Sequence, residues 1–181
     1  MRPADPIAHD DAAEPIVYIT LGTVFNDDVA LFLVAVEAAR ELGIRVVVTL
    51  GPGKDPAALG PQPPHVTVEQ FIPQAELLPA CAAVVSHAGS GTFLAALAAG
   101  VPQVLLPQAA DQFLNAQAGE EGGVAIAVPR AELSVGRVRE ALERVLGSAT
   151  FRRAAEGVRA EISTMPTPEA VAAELERRYA G

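Results

Sequence analysis

The sequence reads VVSHAGSGTFL from Val84 to Leu94. It begins as an apolar β-type run, continues through a loop of small residues and enters a helical pattern that Gly100 and Pro102 bring to an end. A strand that leads through a tight loop into a helix is the first part of a βαβ unit. This stretch therefore predicts an α/β fold built on a parallel sheet.

The same alternation continues on both sides of this stretch. The predicted strands are Ile16–Thr20, Arg45–Leu50, Val66–Val68, Ala83–Ser86, Gln103–Leu106 and Val124–Ala127. The predicted helices are Asp27–Leu42, Ala75–Ala80, Ser90–Ala99, Asp111–Glu121, Val135–Leu146, Thr150–Ile162 and Pro168–Tyr179. Several strands are rich in Val and Ile, as expected for strands that are covered on both faces. We therefore predict a Rossmann-like, doubly wound parallel sheet of about six strands, flanked by helices.

Length, composition and charge limit the domain organisation and the partners. The chain has 181 residues, and half of them are hydrophobic, which is enough for one domain with a buried core. Residues 1–14 are polar, acidic and interrupted by prolines, so we predict a disordered tail or an interdomain linker there and one domain over residues 15–181. The net charge of −9 argues against nucleic acid as a partner, because a basic face is missing.

The cellular compartment is predicted from the cysteine count and from the apolar runs. Cys81 is the single cysteine, so no internal disulfide can form, and its place before an apolar run predicts a buried, unreactive thiol. The N-terminus lacks a basic start followed by an apolar stretch, and no uncharged apolar run reaches the length of a membrane span. We therefore expect a cytoplasmic protein without a secretion signal or a membrane span.

The loop after the fourth predicted strand has the composition of an anion-binding site. Gly89 and Gly91 carry no Cβ, so a ligand can approach the backbone closely. The first turn of the next helix leaves N–H groups without intrahelical partners, and together with the peptide dipoles they attract an anion. Ser90 and Thr92 can donate from their hydroxyls and His87 from its imidazole, which suits a diphosphate. A tight strand-to-helix connection with a capping serine is the alternative.

Two other phosphate-binding motifs fit less well. A dinucleotide fingerprint needs a third glycine at the position of Leu94 and should open the first βαβ unit, although Asp111 lies at the required distance of about 20 residues. A P-loop needs a glycine at Val48 and a Ser or Thr after Lys54. An NAD-binding domain is therefore the weakest alternative, and a P-loop is rejected.

Asp111 and Gln112 follow the fifth predicted strand, at the same edge of the sheet. A carboxylate accepts hydroxyl protons, and a carboxamide both donates and accepts, which suits the hydroxyls of a sugar. Asp111 could instead cap the following helix. Because a phosphate loop lies one strand away, we favour sugar binding.

Five segments of the chain carry a resemblance to a known family. They are Val17–Asn26, Phe71–Gln74, His87–Thr92, Gly100–Pro107 and Asp111–Ala116. In this order and spacing they resemble family 1 glycosyltransferases of the GT-B fold, above all the actinobacterial enzymes that glycosylate antibiotics and other natural products. The resemblance implies that this chain is the C-terminal, nucleotide-sugar-binding half of such an enzyme.

The resemblance implies a role for each predicted site residue. The donor diphosphate would be held by His87, Gly89, Ser90, Gly91 and Thr92. The nucleotide would lie against Gly22, Thr23, Phe71, Ile72 and Gln74, and the sugar against Asp111 and Gln112. Taken from the residues alone, Phe71 and Ile72 are also compatible with an ordinary core, and Thr23 with a turn.

The resemblance also implies the reaction, a single displacement with inversion at the anomeric carbon. The catalytic base and the acceptor site would lie in an N-terminal domain, so this chain would hold no catalytic base and would bind the donor without efficient transfer. No cofactor and no metal are expected, since no Asp/His cluster has metal-ligand spacing. The N-terminal domain would act in cis if this chain is an excised piece, which we favour, or in trans in a split enzyme.

One departure from the family concerns the nucleotide. Many relatives carry an acid three residues after the helix's Ser or Thr, where it would bind the ribose hydroxyls, and here that residue is Ala95. A 2′-hydroxyl would lose its partner, so dTDP is favoured over UDP. Two alternatives of other classes stay open: half of a nucleotide-sugar epimerase, which should carry further acids near Asp111, and a non-catalytic binding subunit of a split enzyme.

Overall fold

Six parallel strands form the sheet of the computed structural model, which describes residues 15–22 and 29–179. They are β1 (Ile16–Thr20), β2 (Arg45–Thr49), β3 (Val66–Glu69), β4 (Cys81–Ser86), β5 (Gln103–Leu105) and β6 (Ala125–Ala127). Their order across the sheet is β3-β2-β1-β4-β5-β6, and every neighbouring pair runs parallel. The predicted doubly wound sheet is therefore confirmed.

Seven α-helices connect and cover the strands in the described part of the chain. They are α1 (Val29–Arg40), α2 (Gln74–Leu77), α3 (Ser90–Ala99), α4 (Gln112–Glu121), α5 (Val135–Gly147), α6 (Ala149–Ser163) and α7 (Pro168–Tyr179). Each corresponds to a predicted helix, although the second one is shorter because residues 78–80 tighten into a 3₁₀ turn. The predicted tail, residues 1–14, and the predicted start of the first helix at Asp27 lie outside the described residues.

Both faces of the sheet are buried, which explains its Val-rich strands. Side chains alternate between the two faces of a strand. Val17 and Ile19 of β1 therefore pack with α1 and α5, whereas Ile16 and Tyr18 pack with α2 and α3. A polar side chain on such a strand has no access to bulk water and needs a hydrogen-bond partner within the protein.

The order of the strands reverses between β1 and β4. The chain moves from β1 outward to β2 and β3, returns to β4 beside β1, and then continues to β5 and β6. In doubly wound sheets, ligands bind at the carboxyl ends of the strands at this switch point. Gly22 follows β1 there and His87 follows β4.

The predicted burial of the thiol is confirmed. Cys81 begins β4 and is 4% exposed, and its Sγ donates to the carbonyl oxygen of Leu77 at 3.3 Å. Burial raises the pKa of this thiol to about 12. Because the thiolate is the reactive form, Cys81 is unreactive in the folded chain.

Candidate functional site

A cavity of about 510 Å³ opens at the carboxyl edge of the sheet. Its walls come from the ends of β1, β2 and β4, from the loops after β3 and β5, and from the start of α3. All described residues of the predicted site line it: Gly22, Phe71, Ile72, Gln74, His87, Gly89, Ser90, Gly91, Thr92, Asp111 and Gln112. Thr23, also predicted, lies outside the described residues. The fold therefore brings the predicted residues into one cavity.

The imidazole of His87 occupies a slot between two glycines. Gly22 has a φ of +73°, and a Cβ on it would lie 2.7 Å from Cε1 of His87, closer than real Cβ atoms come. A Cβ on Gly89 would overlap Nε2 of the same ring. The small size of Gly89, which we expected to serve the approach of a ligand, makes room for His87 in the structure. The space beside Gly91 is open instead.

His87 is favoured in its neutral form. The residue is 8% exposed, and its Nδ1 is buried without a hydrogen-bond partner among the described residues. Burial lowers the pKa of His87, and the nearby Asp111 carboxylate opposes this with a smaller effect. A neutral imidazole offers one N–H donor and one acceptor nitrogen.

The start of α3 presents bare amides to the cavity. Gly89 occupies the N-cap position, and no side chain of the described residues caps the helix. The first-turn N–H groups therefore lack intrahelical partners and carry the positive end of the helix dipole. The alternative of a connection closed by a capping serine is wrong for this loop, since Ser90 is the first helical residue and its hydroxyl bonds elsewhere.

Asn115, which was not among the predicted site residues, holds the loop before α3 in shape. Ala88 lies in the left-handed region with a φ of 65°, which costs a non-glycine residue roughly 1 kcal/mol. Its N–H donates to Ser86 Oγ at 3.2 Å, and its carbonyl oxygen accepts from Asn115 Nδ2 at 2.8 Å. Both polar groups of the strained residue are thus satisfied. An Asn one helical turn after Asp111 was the available sequence signal.

The loops after β4 and β5 are joined by a hydrogen bond between their predicted site residues. Ser90 Oγ donates to Asp111 Oδ2 at 2.6 Å, and Asn115 Nδ2 lies 3.4 Å from the same oxygen. The bond from Ser90 is the main cause that lowers the pKa of Asp111. The alternative that Asp111 caps α4 is wrong, because its carboxylate makes no capping hydrogen bond.

Gln112 has a narrower role than the sequence analysis predicted. It is 1% exposed, and its Oε1 accepts from the backbone N–H groups of Gln108 at 2.8 Å and Ala109 at 3.1 Å. These bonds fold the loop around Ala110, whose φ is 54°. Both lone pairs of the carboxamide oxygen are then in use. The expectation that Gln112 would both donate to and accept from a ligand is corrected, since only its Nε2 donor is left.

Phe71 and Ile72 differ in burial. Phe71 is 62% exposed at the edge of the cavity, so the ordinary-core alternative is wrong for this side chain. Ile72 is half-buried and packs against the core cluster between the sheet and the helices α2 and α3. The Phe71 ring is therefore accessible from the cavity, while the packing of Ile72 against the core holds the loop in place.

Four polar side chains that line the cavity are joined by a series of hydrogen bonds. Tyr18 Oη lies 2.7 Å from Thr49 Oγ1, and Gln74 Nε2 donates to Tyr18 Oη at 3.4 Å and to Thr92 Oγ1 at 3.1 Å. Tyr18 and Thr49 were not predicted as site residues. The signal in the sequence was a hydroxyl at the centre of β1 and another at the end of β2, both on the face of the sheet that carries α2 and α3.

No group of three or more His, Cys, Asp or Glu side chains in residues 15–22 and 29–179 could hold a metal ion. Within the same ranges, no helix is long and apolar enough to cross a membrane.

Comparison with solved structures defines the class of protein. The spinosyn rhamnosyltransferase SpnG complexed with thymidine diphosphate gives a TM-score of 0.85 at 32% identity, over 91% of this chain and 46% of that chain. CalG4, the calicheamicin glycosyltransferase, gives a TM-score of 0.84 at 31% identity, over 98% of this chain and 45% of that chain. The fold is that of one half of a GT-B glycosyltransferase.

The family follows from the sequence. Residues 34–177 match the erythromycin biosynthesis protein CIII-like, C-terminal domain, and the chain belongs to that family. A curated relative is the 10-deoxymethynolide desosaminyltransferase of Streptomyces venezuelae, 36% identical over 91% of this chain and 39% of that protein. The chain spans less than half the length of these relatives. The resemblance to actinobacterial antibiotic glycosyltransferases is confirmed.

Proposed function

We propose that this chain is the donor-binding domain of an inverting glycosyltransferase, which transfers a sugar from a nucleoside diphosphate sugar to a hydroxyl of a natural-product acceptor. The observation that carries the proposal is the uncapped start of α3, which lines the same cavity as His87. Bare amides at a helix start, an imidazole and the open space at Gly91 together suit a diphosphate.

The strand order supports one orientation of the ligand. Phe71 follows β3, His87 follows β4 and Asp111 follows β5, and β3 and β5 lie on opposite sides of the central pair β1 and β4. A ligand across the strand ends would place its base at Phe71, its diphosphate at His87 and its sugar at Asp111. Gln112 would donate to a sugar oxygen from Nε2. A nucleoside diphosphate as the ligand is supported by the similar SpnG, which is known in complex with thymidine diphosphate.

The proposed nucleotide is dTDP, with UDP as a weaker ligand. Ala95 stands on α3 at the position where the resemblance implies an acid, and it is half-buried against the core cluster. Its methyl group cannot accept a hydrogen bond from a ribose 2′-hydroxyl. A nucleotide without that hydroxyl loses nothing at this position, so deoxyribose is preferred.

During transfer, the bond from the anomeric carbon to the diphosphate breaks, and the leaving group gains negative charge. The α3 amides, the His87 donor and the Thr92 hydroxyl would stabilise that charge without a metal. The Ser90 hydroxyl, also predicted as a donor to the diphosphate, already donates its proton to Asp111. The acceptor and the catalytic base would come from an N-terminal domain, in cis or in trans. This chain alone would bind the donor and transfer little sugar, because the alignment with acceptor and base is lost. The proposed location is the cytoplasm.

Titration calorimetry with a matched pair of glycine variants tests the proposal. Gly91 is the second residue of α3 and Gly136 the second residue of α5, and a Cβ on either would meet nothing within 4 Å. Gly91→Val should weaken dTDP binding by about tenfold or more, because the side chain fills the diphosphate space. Gly136→Val makes the same change away from the cavity and should leave binding intact.

The nucleotide series gives the second half of this test. Thymidine should bind far more weakly than dTDP, since it lacks the group that α3 holds, and UDP should bind more weakly than dTDP. Equal affinities for thymidine and dTDP, or equal losses in the two glycine variants, would contradict diphosphate binding at α3. Tighter binding of UDP would contradict the nucleotide assignment alone.

A further inference from the structure

The hydrogen bonds among these four lining side chains have directions that follow from the available protons. The Gln74 carboxamide nitrogen carries two protons, and Tyr18 Oη and Thr92 Oγ1 each accept one. The Tyr18 proton is then left for Thr49 Oγ1 at 2.7 Å, and a phenol is a stronger donor than an aliphatic hydroxyl. The Thr92 proton is left for a group in the cavity, which Thr92 lines.

The reverse orientation of the Gln74 carboxamide would change what the cavity presents. Its oxygen would accept the protons of both Tyr18 and Thr92, and Thr92 would turn its lone pairs toward the ligand. Lone pairs repel an anion, whereas a hydroxyl proton stabilises it. The direction of the hydrogen bonds that link Thr49, Tyr18, Gln74 and Thr92 therefore decides whether Thr92 stabilises or repels a diphosphate.

We propose that Tyr18 and Thr49 are positioning residues, which hold Gln74 in one orientation and so make Thr92 a hydrogen-bond donor toward the diphosphate. The inference rests on the proposed function, because that function supplies the anion. Tyr18 is 1% exposed, Thr49 5% and Thr92 6%, so these three hydroxyls meet little competition from water, whereas Gln74 is half-buried. Neither Tyr18 nor Thr49 has to touch the diphosphate for this effect.

Substitution of Thr49 gives a test with an unusual signature. In Thr49→Val the Tyr18 proton loses its acceptor and turns to Gln74, whose carboxamide reverses to receive it. Thr92 then donates to Gln74 instead of the ligand, and dTDP binding should fall by about tenfold. In a Tyr18→Phe background there is no phenol proton that needs an acceptor, so Thr49→Val should have no further effect on dTDP binding.

A purely structural role, or a direct contact between Thr49 and the ligand, predicts a different result. Either would make Thr49→Val equally harmful in both backgrounds, and that outcome would overturn the inference. The exposed residues Thr67 on β3 and Tyr179 on α7 offer matched controls. Thr67→Val and Tyr179→Phe repeat the same chemical changes away from the cavity and should leave dTDP binding unchanged.

A second readout needs no ligand. In the wild-type chain both Gln74 Nε2 protons are hydrogen-bonded, so their NMR signals, identified by their loss in Gln74→Glu, should exchange slowly with water. Thr49→Val should speed this exchange, and Tyr18→Phe combined with it should not speed it further. Unchanged exchange in Thr49→Val would overturn the inference even if dTDP binds. The expected exchange pattern without any dTDP binding would support the orientation of Gln74 and contradict the proposed function.

Discussion

Replacement of Gly89 by alanine tests whether the glycine slot holds His87 in place. The added Cβ would overlap Nε2 of the imidazole, so the ring or the loop must move. The backbone itself accepts alanine, since Gly89 has φ −62° and ψ 139°. Nearly all of the specific cost should therefore come from the contact with His87.

The size of the effect can be worked out from these two observations. Overfilling a packed site costs about 1–3 kcal/mol, and alanine at an N-cap costs up to about 1 kcal/mol relative to glycine. Gly89→Ala should thus lower the free energy of unfolding by about 1–4 kcal/mol. In a His87→Ala background only the N-cap part is left, so the loss should be under about 1 kcal/mol.

Urea-induced unfolding followed by far-ultraviolet circular dichroism measures this double-mutant cycle, since the chain has no tryptophan to report by fluorescence. A coupling of at least about 1 kcal/mol between the two substitutions is expected. If Gly89→Ala lowered the free energy of unfolding equally in the wild-type and His87→Ala backgrounds, the contact between residue 89 and the imidazole would be refuted. Gly22→Ala extends the test, because its φ of +73° should leave a strain that persists without His87.

Three further predictions concern single side chains. Gln112→Leu should lower the free energy of unfolding by about 2 kcal/mol in urea, because two loop N–H groups lose their acceptor; Gln112→Glu keeps an acceptor, and an equal loss in both variants would contradict this reason. Burial lowers the pKa of His87 from its ordinary 6.5, so the unfolded chain binds more protons just below that pH. The stabilisation is present above pH 6.5 and declines as the pH falls through the lower folded pKa; His87→Ala should flatten this part of the stability curve, and an unchanged slope would count against it. Cys81 should react with a disulfide reagent at about pH 8 only as fast as the chain unfolds, and rapid labelling of the native chain would contradict its burial.

The order and the approximate bounds of the strands and helices could be predicted, because they depend on local sequence patterns. The bounds of α3 and α7 agree with prediction to the residue, since small residues and a Pro mark their starts and Gly100 stops α3. The gathering of the site residues also followed from local reasoning, because parallel strands end at one edge of the sheet. The bounds of β1 agree as well, whereas the other elements differ from prediction by one to three residues at an end, as with the 3₁₀ turn after α2.

The partners of the site residues could not be predicted, because they depend on how distant segments pack. Tyr18 and Thr49 are separated by 31 positions and meet only because β1 and β2 pair in register. The oxygen of Gln112 is taken by its own loop, and the small size of Gly89 serves an imidazole. A sequence shows which groups reach the cavity but not which of them already satisfy one another.

The strand order has a consequence for how such domains diversify. If base, diphosphate and sugar each meet a different crossover connection, then a change in the loop of residues 107–111 after β5 alters the choice of sugar and leaves the centre around Gly22 and His87 untouched. Descendants of one ancestral gene could then acquire new donors piecewise, by exchange of a single short segment.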